Sequence, residues 1–191
     1  MGQRIGLFGG TFDPPHTGHL AGAIAARSAF RLDRVMFVVA NDPWQKSNHR
    51  PVTKAHHRLA MVRLLVDGFD GMEVSDLEIS RGGPSYTMDT VKELRDGGHE
   101  VILVVGADAA AGLDSWDRSD ELRKLVEVAV VDRPGYLFPE LNGWRLNRVE
   151  AESADVSSSG VRDLVSGGAS TSDSIPATIR SYIDLHRLDW S

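Results

Sequence analysis

The chain has 191 residues, of which 41% are hydrophobic and 25% charged, and this length and composition suit one soluble α/β domain with a full core. A net charge of -6 argues against a general nucleic-acid binder, so any phosphate site must gather its positive groups locally. Cysteine is absent, which excludes disulfides and thiolate metal sites, and without a membrane-length apolar run or an apolar leader we expect a cytoplasmic protein that binds no membrane.

The first predicted elements enclose a glycine-rich turn. The apolar run Ile5–Phe8 predicts a strand and Leu20–Phe30 predicts a helix. Between them, residues 9–19 read G-G-T-F-D-P-P-H-T-G-H. Glycines at this turn let the backbone approach a ligand closely, and the start of a helix offers unpaired N–H groups to an anion.

Two histidines, His16 and His19, lie near this helix start. Residues three apart share one helical face, so both imidazoles can point at the same phosphate chain. A bare H-x-G-H is more often a surface or packing feature, but the whole string at a strand-to-helix junction favours a nucleotide triphosphate site. The sequence carries neither a G-x-G-x-x-G after the first strand nor a G-x-x-x-x-G-K-[ST] motif, which disfavours a dinucleotide dehydrogenase and a P-loop NTPase.

Further apolar runs alternate with helical patterns along the chain, and this alternation predicts a Rossmann-like, doubly wound parallel sheet flanked by helices. The predicted strands are Val35–Val39, Val101–Val105 and Val126–Val131, and the predicted helices are Ala55–Val66 and Thr87–Arg95. Residues Met72–Ile79 alternate and predict an exposed or edge strand. Ligands in such sheets bind at the carboxyl ends of the strands.

The end of the chain predicts a small helical portion. Residues Pro139–Asn147 are irregular, and Arg148–Glu150 predicts a last short strand. Ser157–Gly167 and Ile175–Leu188 then predict two helices, joined by a Gly- and Ser-rich link. We expect a single domain over residues 1–191, with residues 155–191 as its helical portion.

Polar groups at two of these junctions are candidate ligands. Asp108 follows a buried strand, where a carboxylate commonly accepts hydrogen bonds from ribose; the alternative is an N-cap for a helix beginning at Ala109. Ser158 lies in a serine-rich helix start, with Arg162 one turn on, which suits phosphate. A plain serine-capped helix is the alternative there.

Lys46 lies in the polar loop Asn41–Pro51, after the second predicted strand. Most loop lysines are merely solvated. Loops at strand carboxyl ends, however, often close over an active site, so we expect this loop to act as a lid that brings Lys46 to bound phosphates.

Taken together, these strings resemble the bacterial nicotinate-nucleotide adenylyltransferases, within the H-x-G-H nucleotidylyltransferases. The resemblance covers nearly the whole chain in order. It includes residues 9–19, the pair His57-Arg58, G-P-S-Y-T-M-D-T over residues 83–90, G-A-D followed by Trp116, V-D-R-P-G over residues 131–135, and the S-S-S-x-V-R element. The lid departs from the family: it commonly reads P-H-K, whereas this chain has Pro43-Trp44-Gln45-Lys46.

The resemblance implies transfer of AMP from ATP to nicotinate mononucleotide, with Mg²⁺ carried in by ATP and no metal ligands from the protein. The implied catalytic residues are His16, His19, Lys46 and Arg162. The implied ATP-binding residues are these four together with Gly9, Gly10, Thr11, Phe12, Gly106, Asp108 and Ser158. Thr87, Trp116 and Asp117 are the implied acceptor-binding residues.

Several alternatives stay open. The acceptor can instead be nicotinamide mononucleotide or phosphopantetheine, although G-P-S-Y-T and Trp116 favour a pyridine nucleotide. A non-catalytic nucleotide sensor is expected to lack a triphosphate donor, and here all are present. A zinc hydrolase built on His16 and His19 needs a third ligand, and no H-E-x-x-H helix supplies one. A homo-oligomer is left open.

Overall fold

The computed structural model of the protein describes residues 2–43, 51–151 and 156–190. In this part of the chain, the strands form one parallel sheet in the order β3-β2-β1-β4-β5-β6. They are β1 (Arg4–Gly10), β2 (Arg34–Val39), β3 (Met72–Ser75), β4 (Glu100–Gly106), β5 (Glu127–Val131) and β6 (Leu146–Val149). This is the strand order of a Rossmann fold, which reverses between β1 and β4.

Helices connect these strands. They are α1 (Thr17–Phe30), α2 (Ala55–Val66), α3 (Leu77–Arg81), α4 (Thr87–Asp96), α5 (Ala107–Ala110), α6 (Ser119–Leu125), α7 (Ser158–Ser166) and α8 (Ala177–His186), with a 3₁₀ turn at Leu113–Ser115. None of the helices in the described ranges is both long and apolar enough to span a membrane.

Both faces of the sheet are covered, so the central strands are apolar on both sides. Alternate β1 residues fall into separate core clusters: Phe8 packs with α1 and α2, whereas Leu7 packs with α4 and α6. A strand buried on both faces needs a continuous apolar run, and this is why the runs in the sequence identified β1, β2, β4 and β5. The predicted doubly wound α/β architecture is confirmed.

The predicted strand Met72–Ile79 is wrong in its second half. β3 ends at Ser75, and α3 begins at Leu77. The Ser75 hydroxyl accepts a hydrogen bond from the Leu77 N–H at 3.2 Å, which turns the chain out of the sheet. The prediction that this strand lies at an edge is confirmed, since β3 pairs only with β2 among the described strands.

The last elements follow the prediction with shifted limits. β6 covers Leu146–Val149 rather than Arg148–Glu150, because its pairing with β5 starts at Leu146. Val161 of α7 and Ile179 and Ile183 of α8 are buried in the same cluster as Phe8. The C-terminal helices therefore belong to the core on the face of the sheet that α1 and α2 cover, and α8 packs on α2.

Candidate functional site

A cavity of about 430 Å³ opens at the carboxyl ends of β1, β4 and β5, between the starts of α1 and α7. Most of the site residues predicted from the sequence line it. They are Gly9, Gly10, Thr11, Phe12, His16, His19, Gly106, Asp108, Trp116, Ser158 and Arg162. The crossover of the strand order between β1 and β4 creates this space, as expected for a doubly wound sheet.

A second cavity, of about 200 Å³, lies on the other side of the same backbone. Its lining includes the remaining predicted acceptor residues, Thr87 and Asp117. Gly9, Gly10, Thr11 and Trp116 line both cavities. A ligand in one cavity is thus separated from a ligand in the other by little more than a glycine backbone.

The turn after β1 depends on an unusual backbone at Phe12. Its φ is 50°, in the left-handed region that non-glycine residues rarely occupy. The side chain offsets this strain by burial, since its ring packs against Phe8 and Phe37 with centroids 5.9 and 5.8 Å away. A Cβ at Gly10 would lie 2.8 Å from this ring, so glycine is required there. The result is a fixed loop whose backbone faces both cavities.

His16 and His19 lie at the N-terminus of α1 as predicted. His16 is the N-cap and His19 the third helical residue, and their ring centroids are 3.7 Å apart. The His16 backbone N–H donates to His19 Nδ1 at 3.2 Å. Because Nδ1 accepts, a neutral His19 ring carries its hydrogen on Nε2, which makes that nitrogen a donor.

His16 is 6% exposed, and its Nδ1 has no hydrogen-bond partner within the described ranges. Burial, followed by the positive charge of Arg133, lowers the pKa of His16 from 6.5 to about 3. The ring is therefore neutral at physiological pH. A side chain at Gly18 would place its Cβ 3.1 Å from His16 Nδ1, so the glycine of H-x-G-H leaves room for this ring.

The serine-rich start of α7 faces the same cavity. Ser157 caps the helix by accepting from the Gly160 N–H at 3.0 Å. Ser158 Oγ donates to the Pro14 carbonyl at 2.9 Å, and Arg162 Nη1 donates to the Asp13 carbonyl at 2.8 Å. Both predicted phosphate ligands thus already hold the loop after β1. The serine-capped helix start and the predicted phosphate-binding residues are therefore the same element, α7.

Asp108 lies at the cavity wall, but it is not an N-cap. α5 begins at Ala107 with Gly106 as its cap, because Gly106 keeps the extended backbone of β4. Asp108 instead forms an ion pair with Arg133 at 2.6 Å. A Cβ at Gly106 would lie 2.7 Å from Asp108 Oδ1, so that carboxylate lies folded over the glycine.

The second cavity is polar on one side and aromatic on the other. Thr87 is the first residue of α4, where backbone N–H groups are unpaired, and Trp116 lies opposite on the turn after α5. Asp117 is held by Arg118 at 2.6 Å, and Arg118 also binds Asp89 at 2.6 Å. These hydrogen bonds raise the pKa of the Arg118 guanidinium.

Two further sequence predictions concern the lid that contains Lys46 and the absence of metal ligands from the protein. Lys46 and most of its loop fall within residues 44–50, outside the described residues, so the lid remains a prediction. Within residues 2–43, 51–151 and 156–190, no three His, Asp or Glu side chains gather as metal ligands.

Comparison with known proteins agrees with this geometry. The cytidylyltransferase-like family model matches residues 7–164. Probable nicotinate-nucleotide adenylyltransferases from Bordetella petrii and Exiguobacterium sibiricum are each 40% identical to the chain, over 97% and 95% of its length and 98% and 96% of theirs. The chain belongs to the nicotinate-nucleotide adenylyltransferase family.

Solved structures of nicotinate-nucleotide adenylyltransferases share the fold. The Plasmodium falciparum nicotinic acid mononucleotide adenylyltransferase complexed with NaAD superimposes with a TM-score of 0.84 and 19% identity, over 97% of each chain. A putative enzyme from Vibrio parahaemolyticus superimposes with a TM-score of 0.70 and 16% identity, over 99% of this chain and 98% of that one. These likenesses establish the same architecture along nearly the full length.

Arg58 is a residue of this adenylyltransferase site to which the sequence analysis assigned no role. It is 1% exposed, and its guanidinium donates to the carbonyls of Thr11, Ala40 and Thr53 at 2.7–2.8 Å. One side chain thus fixes the loop after β1, the end of β2 and the approach to α2. The pair His57-Arg58 at a helix start was visible in the sequence, but burial of the arginine was not.

Arg133 and Glu78 were also missed. Arg133 lines the larger cavity and Glu78 the smaller one. Glu78 is 7% exposed and accepts from the Thr90 hydroxyl at 2.7 Å. Arg133 follows the end of β5, which was the available signal for it, whereas Glu78 lies where the sequence predicted a strand.

Proposed function

We propose that this protein transfers the adenylyl group of ATP to nicotinate mononucleotide, forming nicotinate adenine dinucleotide and pyrophosphate. The observation that carries the proposal is the pair of cavities that share Gly9, Gly10, Thr11 and Trp116. ATP binds in the larger cavity and the acceptor in the smaller one, so that the two reacting phosphates meet at the glycine backbone. The names of the relatives support this assignment.

The larger cavity suits a triphosphate because neutral donors and a cation surround it. His16 Nδ1 is buried without a partner, and such orphaned polar atoms are rare unless a ligand completes them. His19, Ser158 and Arg162 add donors on the same wall. The Thr17 and His19 N–H groups already donate to the Ser174 and His16 carbonyls, so the start of α1 contributes the positive end of its dipole. Asp108 holds the ribose, exchanging its bond to Arg133 for ribose hydroxyls.

The reaction needs no side-chain nucleophile. An oxygen of the acceptor phosphate forms a bond to the α-phosphorus of ATP while the bond from that phosphorus to the bridging oxygen of pyrophosphate breaks. The acceptor phosphate is already anionic, so the task of the site is positioning and stabilisation of charge on the leaving oxygens. His16 and His19 do this as hydrogen-bond donors, and Arg162 does it as a cation.

Magnesium enters this site with ATP. Within the described residues, no three His, Asp or Glu side chains gather to hold it, and we assign the Asp108 carboxylate to the ribose. Mg²⁺ typically keeps several waters and binds substrate phosphates with few protein ligands, which fits this donor set. When bound, it neutralises phosphate charge. We also place the reaction in the cytoplasm, within one domain covering residues 1–191.

The smaller cavity suits the nicotinate group. The Thr87 hydroxyl and the free N–H groups at the start of α4 are donors for a carboxylate, and the Trp116 indole packs against the pyridine ring. The carboxylates on this wall are already engaged, because Glu78 accepts from Thr90 and Asp117 is paired with Arg118. A charged acceptor therefore meets donors rather than free negative charge.

An acceptor panel tests the proposal. Purified protein, ATP and Mg²⁺ are incubated with nicotinate mononucleotide, nicotinamide mononucleotide or phosphopantetheine, and pyrophosphate release is measured. We expect the highest catalytic efficiency with nicotinate mononucleotide. Efficient release with phosphopantetheine alone would reassign the acceptor. Nucleotide binding without pyrophosphate release from any of the three would identify a sensor instead.

A further inference from the structure

The last described residues of the chain reach the loop that follows β1. Trp190 Nε1 lies 3.0 Å from Asp13 Oδ1 and 3.0 Å from Thr53 Oγ1. The other oxygen of the Asp13 carboxylate accepts from the Thr53 backbone N–H at 3.3 Å. One carboxylate therefore joins three segments that are far apart in sequence: the loop after β1, the approach to α2 and the residues after α8.

Asp13 is well placed to transmit this contact to the nucleotide site. It is 1% exposed and lines the larger cavity. Its backbone carbonyl accepts from Arg162 Nη1 at 2.8 Å, and it follows Phe12, whose backbone is strained. A buried carboxylate is held in place by its hydrogen-bond donors. A shift of Asp13 would thus move both the loop backbone and the guanidinium of Arg162.

The position of Trp190 is itself fixed by the end of α8. Tyr182 of α8 shares a 2.9 Å hydrogen bond with His57 Nδ1 of α2, which docks the two helices. α8 then ends at Arg187 in the left-handed conformation, and the Leu188 N–H donates to the Ile183 carbonyl at 3.0 Å. The chain turns back over the core, and the Trp190 indole packs against the cluster that contains Phe12.

From this geometry we infer that Trp190 is a positioning residue for adenylyl transfer, acting through the hydrogen bond from its indole N–H to Asp13. The inference rests on the proposed function. Trp190 itself lines neither cavity, so it affects ATP through Asp13 and the loop that contains it. Small displacements of residues that position a substrate cost rate or affinity disproportionately. Phe12, Asp13 and Arg162 line the larger cavity and not the smaller one, so the effect falls mainly on ATP.

The test compares Trp190→Phe and Trp190→Leu with the wild type. Both variants fill the space with apolar atoms but lack the N–H donor. We expect kcat/KM for ATP to fall about tenfold in both, mainly through KM for ATP, while KM for nicotinate mononucleotide changes less than twofold. Leu185→Ala, on the exposed side of α8, is the matched control and should keep wild-type constants. Thr53→Val removes only the second acceptor of the indole and should change kcat/KM less than twofold.

Melting temperatures are measured for every variant, and kinetics are compared where all are folded. Unchanged kinetic constants in a folded Trp190→Phe, with or without a lower melting temperature, would overturn the inference, since they would mean a merely structural role. An equal rise in KM for both substrates would also overturn it. Failure of the wild type to release pyrophosphate would instead reject the proposed function, so the two failures are distinguishable.

Discussion

His16 combines two properties that single residues rarely share: it is buried, and it has an unpartnered nitrogen. In an open site, water would form a hydrogen bond with His16 Nδ1. Because this atom is buried, a bound ligand can supply the missing hydrogen-bond partner. The same burial keeps the ring neutral. His16 thus contributes to the site as a neutral hydrogen-bond donor in a fixed position, whereas Arg162 contributes a positive charge.

The lowered pKa of His16 predicts a loss of stability in mild acid. The unfolded chain takes up a proton near pH 6.5, whereas the native ring does so only near its pKa of about 3. Stability is therefore complete above about pH 6.5 and falls as the pH drops below it, by about 2 kcal/mol between pH 7 and pH 5. Burial and neighbouring cations also lower the pKa of His57, which adds in the same direction.

Urea unfolding at pH 7 and pH 5 measures this loss. In His16→Asn, the pH dependence should be smaller by about 2 kcal/mol, because asparagine does not titrate in this range. His56→Asn, at an exposed position outside both cavities, removes only one of the cations beside His57 and should keep most of the wild-type dependence. An unchanged pH dependence in His16→Asn would show that another group causes the effect.

His19→Ala should lower turnover on the order of a hundredfold or more, because a donor to the reacting phosphates is lost. His19 is assigned no acid or base role, so the pH–rate profile should keep its shape. Steady-state pyrophosphate release gives the rate, circular dichroism checks the fold, and His56→Ala is the control. Turnover near the wild-type level in a folded His19→Ala would remove His19 from the catalytic set.

At the scale of elements, strands and helices were predicted most accurately where a segment showed a single apolar pattern. The buried strands were readable because their apolar runs are continuous, and the start of α1 was readable because the turn and helix signals coincide in residues 9–19. The β3–α3 boundary was not readable, because alternation over Met72–Ile79 fits a strand while a serine hydroxyl ends it. Contacts such as Arg58 with Thr11 join distant segments, and no local pattern encodes them.

The start of α4 should set the preference for the acceptor. The Thr87 hydroxyl and adjacent N–H groups pair with a carboxylate, whereas an amide brings donors to donors and leaves groups unpaired. Catalytic efficiency should favour nicotinate over nicotinamide mononucleotide by about tenfold or more. Thr87→Val should reduce this ratio, and Ser80→Ala, at an exposed position on α3, should not. An unchanged ratio in Thr87→Val would contradict this account of the pocket.

At the scale of the whole molecule, the larger cavity joins parts of the chain that are distant in sequence: the β1–α1 turn, the end of β4 and the start of α7. A ligand that bridges them binds only the folded state. The C-terminal helices belong to this arrangement, since α7 lines the cavity and α8 packs on α2.

ATP should therefore raise the global stability of the protein. With Mg²⁺ and ATP at a hundred times the dissociation constant, the free energy of unfolding should rise by about 2.7 kcal/mol. Urea titrations followed by circular dichroism measure the shift. AMP at the same concentration should stabilise less, because it lacks the β- and γ-phosphates. Equal stabilisation by AMP and ATP would mean that the phosphate donors contribute nothing.

The glycine backbone between the two cavities affects how the product leaves the protein. Gly9 presents no side chain, and a Cβ there would meet no atom within 4 Å, so no side chain at this position stands between the two cavities. A dinucleotide that binds across Gly9 occupies both cavities as one molecule. It therefore loses its translational freedom once, whereas two separate nucleotides lose it twice. Its affinity should exceed that of either mononucleotide. We therefore expect release of the dinucleotide product, rather than the chemical step, to be rate-limiting.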